Sequence, residues 1–475
     1  MGFYQLLPEL FVLTMACVIL LVDLYYPQKK LLLTYSLTQM TLVISAFISF
    51  WLLNTPVFIG FTGNFVRDNL SSFLEILIAL VTFITFVFSR DYILSRGNMA
   101  RGEYYILGLF SVLGMMVLVS AHSLLTIYLG LELMSLPLYA MVAMKREDRN
   151  ASEAAIKYFV MGALASGMLL YGVSLIYGVT GALDLHVIAQ SILISANQSY
   201  TVLVLGLIFI VIGSLFKLGG APFHMWVPDV YQGAPTSVTI FVSAAPKLAA
   251  FAMTLRLLAE MLPALYTQWQ PLLIVVAILS MGIGNLLAIA QSSIKRMLAY
   301  SGISHIGYMT LGILTGTLAG YSAALFYIVA YVFMTLAGFS MLVLLSRQGF
   351  ECENLEDLRG LNNRSPWLAF MMLLVMFSMA GLPPLVGFFA KLAVFEAVIA
   401  VHLVWLAVLA IVFAIIGLYY YLRVVKIMYF DAPTSHELIS WQLDMRLVIS
   451  FNSLALLLFG IFPSALLTLC HNVFL

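Results

Sequence analysis

Four ionisable residues, Glu132, Lys217, Lys247 and Lys391, stand deep inside long apolar runs. At a helix centre in a bilayer each such residue opposes insertion by about 2.5 to 3.5 kcal/mol, so the four together oppose it by around 10 kcal/mol. A cost of that size implies use. Burial disfavours the charged form of a lysine and a neighbouring carboxylate favours it. A group held between those opposing terms changes charge when its partner moves, which is what a proton relay requires. Glu132 and Lys217 are the obvious pair, with Lys247 and Lys391 as onward stations. A static buried ion pair between Glu132 and Lys217 is the competing expectation. It does not extend to Lys247 and Lys391, which have no carboxylate at i±3 or i±4 in their own spans; Glu396 is displaced by five positions from Lys391 and points elsewhere.

A path between such stations needs polar side chains. Ser301, Ser304, His305 and Tyr308 recur at i, i+3, i+4, i+7 and share one helix face, which inside lipid must look into the bundle. His305 suits a relay, or a hydrogen bond to a neighbouring helix. His224 and Asp229 are further candidates, with Asp229 near the cytoplasmic end of its span. Glu153 and Lys157 form an i, i+4 pair, either a local salt bridge or an entry-side station. Glu9, Asp23, Glu75, Arg256 and Glu260 sit nearer span ends, where side chains snorkel, and are expected to be structural. The three cysteines, Cys17, Cys352 and Cys470, are far apart, so no metal or iron–sulfur site is expected.

The elements that position these residues follow from composition. Of 475 residues 63% are hydrophobic and 9% charged, with apolar stretches along the whole length. Runs of this length and continuity fit helices rather than a barrel, so the fold class is all-α, a polytopic membrane protein. A net charge of +1 gives no footprint for nucleic acid. At about 20 residues per crossing the chain holds about 14 spans, starting near Phe3, Leu31, Leu70, Tyr104, Ser123, Ser152, Thr201, Thr236, Pro271, Arg296, Ala319, Pro366, His402 and Arg446. The first has no preceding Lys or Arg and is followed by Lys29 and Lys30, the reverse of a secretory signal. Lys and Arg collect after odd-numbered spans, as at Arg90 and Arg96, Lys145 and Arg146, Lys295 and Arg296, Arg347, and Arg423 and Lys426, with Arg67 the exception. Both termini should therefore lie on the non-cytoplasmic side.

Spans 7 and 12 are overlong and interrupted. Span 7 carries KLGGAPFHMWVPDVYQGAP, where Pro222 removes a backbone donor after Gly219 and Gly220. Span 12 carries AGLPP, with Gly381, Pro383 and Pro384. GGAP aligns with AGLP, and EAAIKYFV at 153–160 with SAALFYIV at 322–329, so spans 4 to 8 and 9 to 13 form two five-helix repeats. An odd number of spans inverts the second copy, and paired interrupted helices point to an ion pathway. Residues 1–475 are one transmembrane domain: three helices over about 1–100, a first repeat over about 104–262, a second over about 271–427, and a last helix over about 446–475.

These features resemble the proton-pumping, antiporter-like subunits of respiratory complex I, a family shared with Mrp-type cation/proton antiporters. The wording FKLGGAPFHMWVPDVYQGAP, APKLAAF, NLLAIAQSSIKRMLAYSGISHIGY and GLPPLVGFFAKLAVF carries the likeness, which covers roughly residues 100–430. It implies about 14 spans, broken helices 7 and 12, and proton-translocating roles for Glu132, Lys217, Lys247 and Lys391. It implies no cofactor on this chain, with NADH, FMN, iron–sulfur clusters and quinone in partner subunits. It further implies further antiporter-like membrane subunits as partners and a bacterial inner membrane. Two alternatives stay open: an antiporter exchanging sodium for protons, and a scaffold whose buried charges only specify helix packing.

Overall fold

In hydrocarbon a backbone N–H or C=O finds no water, and a single segment satisfies its own groups only as a helix. The computed structural model describes residues 2–25, 31–96, 99, 101–195, 200–346, 350–433 and 443–474, and these are mostly helical. Lys29, Lys30 and Arg347, counted above among the loop cations, lie outside them. Eleven helices among the described residues are long and apolar enough to cross a bilayer.

The chain divides into two compact units. The first comprises Met1–Phe86, Gly97–Leu218 and Ala245–Leu272; the second comprises Val87–Arg96, Gly219–Ala244 and Leu273–Leu475. In chain order the helices are α1 Leu7–Tyr25, α2 Leu31–Trp51, α3 Asn69–Leu94, α4 Glu103–Val119, α5 Leu124–Val142, α6 Arg149–Thr180, α7 Leu185–Ser195 and α8 Tyr200–Leu218. Then come α9 Trp226–Gly233, α10 Thr236–Ser243, α11 Ala245–Leu255, α12 Tyr266–Ile289, α13 Ile294–Ile313 and α14 Leu318–Leu345. The last are α15 Leu361–Arg364, α16 Pro366–Ala380, α17 Val386–Ala400, α18 Val404–Phe430, α19 Leu443–Ile461 and α20 Pro463–Asn472. Expected span starts fall close to helix starts; the largest offset is span 9, which begins at Tyr266 and carries Pro271 in its second turn, where an early proline costs little.

In the first unit α4 lies against α1, α5 and α11, and α6 against α5 and α8. An antiparallel hairpin, β1 Phe58–Gly60 and β2 Phe65–Arg67, pairs Phe58 with Arg67. Arg67 is fully buried; its guanidinium meets Glu9 at 2.8 Å and Glu75 at 2.7 Å. This explains why one arginine stood on the wrong side of the charge pattern: it is an internal cation. Arg256 is buried likewise between Asp68 and Glu260, each at 3.0 Å. Glu9, Glu75 and Arg256 do not snorkel as expected; they are ion-paired in place, with two carboxylates on each guanidinium.

The second unit is arranged around α14, which touches α10, α13, α16, α17, α19 and α20. The two units share a local device. Ser123 caps α5 and bridges to Asp184 after α6; Ser293 caps α13 and bridges to Asn354 after α14. The β1–β2 hairpin and several helical features are not legible in the sequence. The stretch between Asp184 and Tyr200 contains α7, α20 follows Pro463, and span 8 is interrupted at Ala244, between α10 and α11. Pro246 lies just beyond that interruption and cannot donate to it.

At one end of the second unit Glu351 gathers three segments. Tyr92 donates its hydroxyl to it, Arg96 approaches at 2.7 Å, and Thr236 at the start of α10 donates at 3.0 Å. Burial pushes the Glu351 carboxyl up, but Lys295, the Tyr92 hydroxyl and Arg96 outweigh it and hold the group below its ordinary value. A lowered carboxylate contributes stability above its unfolded pKa, which is lost as pH falls through the folded value. Replacing Glu351 by Gln should therefore cost about 1 to 3 kcal/mol at pH 7, read as a lower unfolding temperature in detergent. The gap from wild type should close below about pH 4.

Candidate functional site

A helix leaves its last four carbonyl oxygens without intrahelical donors. Two helices here stop inside apolar surroundings, and lysines sit at their ends. α16 ends at Ala380, where Gly381 takes φ +84°, a left-handed conformation open to glycine at little cost. Its terminal carbonyls can be followed one by one. Phe377 O accepts from the Gly381 and Leu382 amides and Ser378 O from the Gly381 amide. Met379 O and Ala380 O accept from Lys391 Nζ, at 3.3 and 2.8 Å. α17, which carries Lys391, can start this close because Gly387 has no side chain: a Cβ there would stand 1.8 Å from Ser378 O.

α8 ends in the same manner. Leu218 is its last residue, Gly219 has φ +79°, and Lys247 of α11, 2% exposed, donates its ammonium to Leu218 O. Each break also holds a cis proline bond, Ala221–Pro222 and Pro383–Pro384.

Lys217, in the last turn of α8, donates to Ser135 Oγ at 2.8 Å and to the Tyr139 hydroxyl at 3.3 Å. Both acceptors are on α5, at i+3 and i+7 from Glu132, so the three share a face. No carboxylate stands within 4.0 Å of Lys217 or Lys391 among the described residues. Glu132 and Lys217 thus do not form a contact ion pair, and Glu132 Oε1 is buried without a hydrogen-bond partner.

An aromatic pair stands beside one lysine in each unit. Tyr139 packs on Tyr158 at 4.7 Å, with Lys217 Nζ 5.7 Å from the Tyr139 ring. Tyr308 packs on Tyr327 at 6.2 Å, with Lys391 Nζ 5.2 Å from the Tyr308 ring. From there a polar chain runs on through buried His305, whose Nδ1 meets the Tyr327 hydroxyl at 2.8 Å and whose Nε2 meets the Tyr421 hydroxyl at 3.1 Å. Tyr421 in turn meets Ser301 at 2.5 Å. Hydroxyls both donate and accept, so such a chain can pass a proton.

The remaining candidates are placed differently. Asp229 on α9 is tied to Arg296 on α13 at 2.8 Å, an anchor between helices. Glu153 and Lys157 pair at 3.0 Å on a largely exposed face of α6. His224 is half-buried just before α9, with Nδ1 unpartnered. Tyr308 belongs to the polar stripe read from the sequence, whereas the other tyrosines do not, although their signal is present: Tyr158 and Tyr327 occupy matching places in EAAIKYFV and SAALFYIV, and Tyr139 is two turns from Glu132 on the same face.

Buried lysines held on helix ends and hydroxyls, within a bundle of apolar helices, define a class: polytopic membrane proteins that move protons or cations. The chain belongs to the NADH:quinone oxidoreductase/Mrp antiporter transmembrane family, whose model matches residues 121–417. NADH-quinone oxidoreductase subunit N of Coxiella burnetii is 54% identical over 100% of this chain and 99% of its own. A chain of respiratory complex I from Thermus thermophilus with bound aureothin superposes with TM-score 0.83 at 33% identity, over 97% of this chain and 98% of that one. The Mrp complex from a Dietzia species has a chain with TM-score 0.87 over 100% of this chain and 97% of its own, but at 21% identity that likeness is one of fold.

Gly387 gives a direct check on the Lys391 geometry. Gly387→Ala must push α17 away from α16 and take Lys391 off its carbonyls, so it should depress activity as severely as Lys391→Met. Gly178→Ala, where a Cβ meets nothing within 4 Å, should be silent. Comparing NADH-driven proton pumping in the two alanine variants reads the difference.

Proposed function

We propose that this chain is the N subunit of a bacterial NADH-quinone oxidoreductase and carries protons across the membrane while partner subunits oxidise NADH and reduce quinone. The observation that carries the proposal is the lodging of Lys217 and Lys391 on neutral oxygens. An ammonium fixed by a contact carboxylate keeps its charge; one supported by hydroxyls and carbonyls within reach of a movable carboxylate does not. With Glu132 ionised, the ammonium at Lys217 is favoured. When Glu132 takes a proton or turns away, burial dominates and Lys217 gives its proton up along the path that its hydrogen bonds to Ser135 and Tyr139 open, each hydroxyl passing on its own proton as it takes one. Lys247 and Lys391 act as later stations, and His305 with Tyr327, Tyr421 and Ser301 extends the path from Lys391. Lys157, Glu153, His224 and Asp229 take secondary parts, Asp229 also tying α9 to α13.

The two five-helix stretches, about 104–262 and 271–427, act as inverted repeats. The matching serine caps and bridges, left-handed glycines and tyrosine pairs support this. The loop cations support a chain with both termini on the non-cytoplasmic face of the plasma membrane. NADH, FMN, iron–sulfur clusters and quinone belong to partner subunits, among them further antiporter-like subunits. Subunit N is preferred over an Mrp-type role because the full-length likeness at 54% identity is to subunit N.

The test is to make Lys217→Met and Glu132→Gln in the whole complex, confirm assembly, and follow proton uptake during NADH-driven quinone reduction. Loss of a proton-transfer group should lower pumping by at least ~10-fold. Wild-type coupling in both variants would overturn the proposal.

A further inference from the structure

Beyond the lysine line, the first unit buries a titratable group that the relay does not use. His122 lies in the turn between α4 and α5 and is 1% exposed. Its backbone is held from two sides: its N–H donates to Asn64 O of the hairpin turn, and its C=O accepts from the Leu185 amide that opens α7. Neither ring nitrogen has a hydrogen-bond partner. A buried polar group left in that state costs about 1 to 3 kcal/mol and calls for an explanation.

What the ring faces supplies one. Asp184 caps α7, with Oδ1 accepting from the His186 and Val187 amides at 2.9 and 3.0 Å. Its other oxygen, Oδ2, stands 3.8 Å from His122 Nε2. That gap is too long for a hydrogen bond and short enough for one water or a small ring movement to close. The His186 ring meets the His122 ring edge-on at 4.6 Å and is exposed. The three groups thus step from a buried imidazole through a half-buried carboxylate to an imidazole in solvent. The hairpin turn lies directly over the carboxylate, where a Cβ on Gly63 would stand 2.2 Å from Asp184 Oδ2.

The surrounding charge sets the affinity of this group for a proton. Asp184, His186, Glu260 and Arg256 face His122. Arg256 is itself held by Asp68 and Glu260; Asp184 and Glu260 favour an imidazolium, while His186 and Arg256 oppose it. Burial opposes it too and keeps His122 below its ordinary value, despite Asp184. A histidine held between these opposing influences changes its charge when one of them changes.

We infer that His122, Asp184 and His186 form a proton-transfer station at the α4–α5 end of the first unit. His122 Nε2 takes a proton from the interior, Asp184 Oδ2 stabilises the imidazolium and accepts the proton, and His186 passes it to solvent. The inference rests on the proton-translocating role proposed above, and the loop-cation pattern makes this the release side.

The test uses the whole complex in proteoliposomes, with protons moved per NADH recorded across pH. Lys217→Met is run in parallel. His122→Gln should lower protons per NADH at least twofold and remove the acid limb of the profile. Asp184→Asn keeps the cap on α7 but removes the anion, and should shift that limb to lower pH, an effect a merely structural role would not produce. Should His122→Gln fail to assemble, Asp184→Asn and His186→Gln decide. An uncoupled Lys217→Met beside wild-type ratios and pH profiles in the assembled station variants overturns the station alone. Normal pumping by Lys217→Met overturns the underlying role.

Discussion

An α-helix that stops within hydrocarbon leaves carbonyl oxygens facing a medium that offers no donors, and the placement of Lys247 and Lys391 depends on that constraint. A stopped helix and a buried ammonium are each unfavourable alone. Together they satisfy one another, since the helix end carries partial negative charge where the ammonium needs it. Neither break could be sealed by proline and glycine chemistry alone. At α16 the backbone amides after the break reach two of the terminal carbonyls, and the lysine takes the other two.

The first unit buries charge in two distinct ways. Arg67 and Arg256 each sit between two carboxylates, a planar fork meeting matching oxygens, and no modest movement of one neighbour would discharge them. Lys217 rests on a serine and a tyrosine. A guanidinium stays charged in any protein environment, whereas an ammonium on neutral oxygens responds to the carboxylate nearby. The choice of arginine or lysine at a buried position thus separates cations fixed between carboxylates from cations lodged on neutral oxygens.

Much of this was legible in the sequence, because the bilayer makes helix length and charge placement strict. The helix starts, the two breaks at Gly219 and Gly381, and the burial of Lys217, Lys247 and Lys391 all follow from local composition. Partner choice does not. Nothing local says that Lys391 reaches back to Ala380 across its own break, or that Tyr421, over a hundred residues from His305, closes its second hydrogen bond. Arg67 stands as an unexplained exception in the sequence for the same reason: its carboxylate partners Glu9 and Glu75 come from other segments. The interruption at Ala244 was missed because an apolar run hides a kink, although Pro246 marked the place.

The chain leaves the first unit at Leu218, beside Lys217, and re-enters it at Ala245, two residues before Lys247, having given Gly219–Ala244 to the second unit. It makes a similar, earlier loan at Val87–Arg96. During synthesis these segments emerge long before most of the unit that houses them. A nascent chain therefore holds two incomplete parts until the later helices arrive, and a product truncated near residue 272 would retain segments with no home.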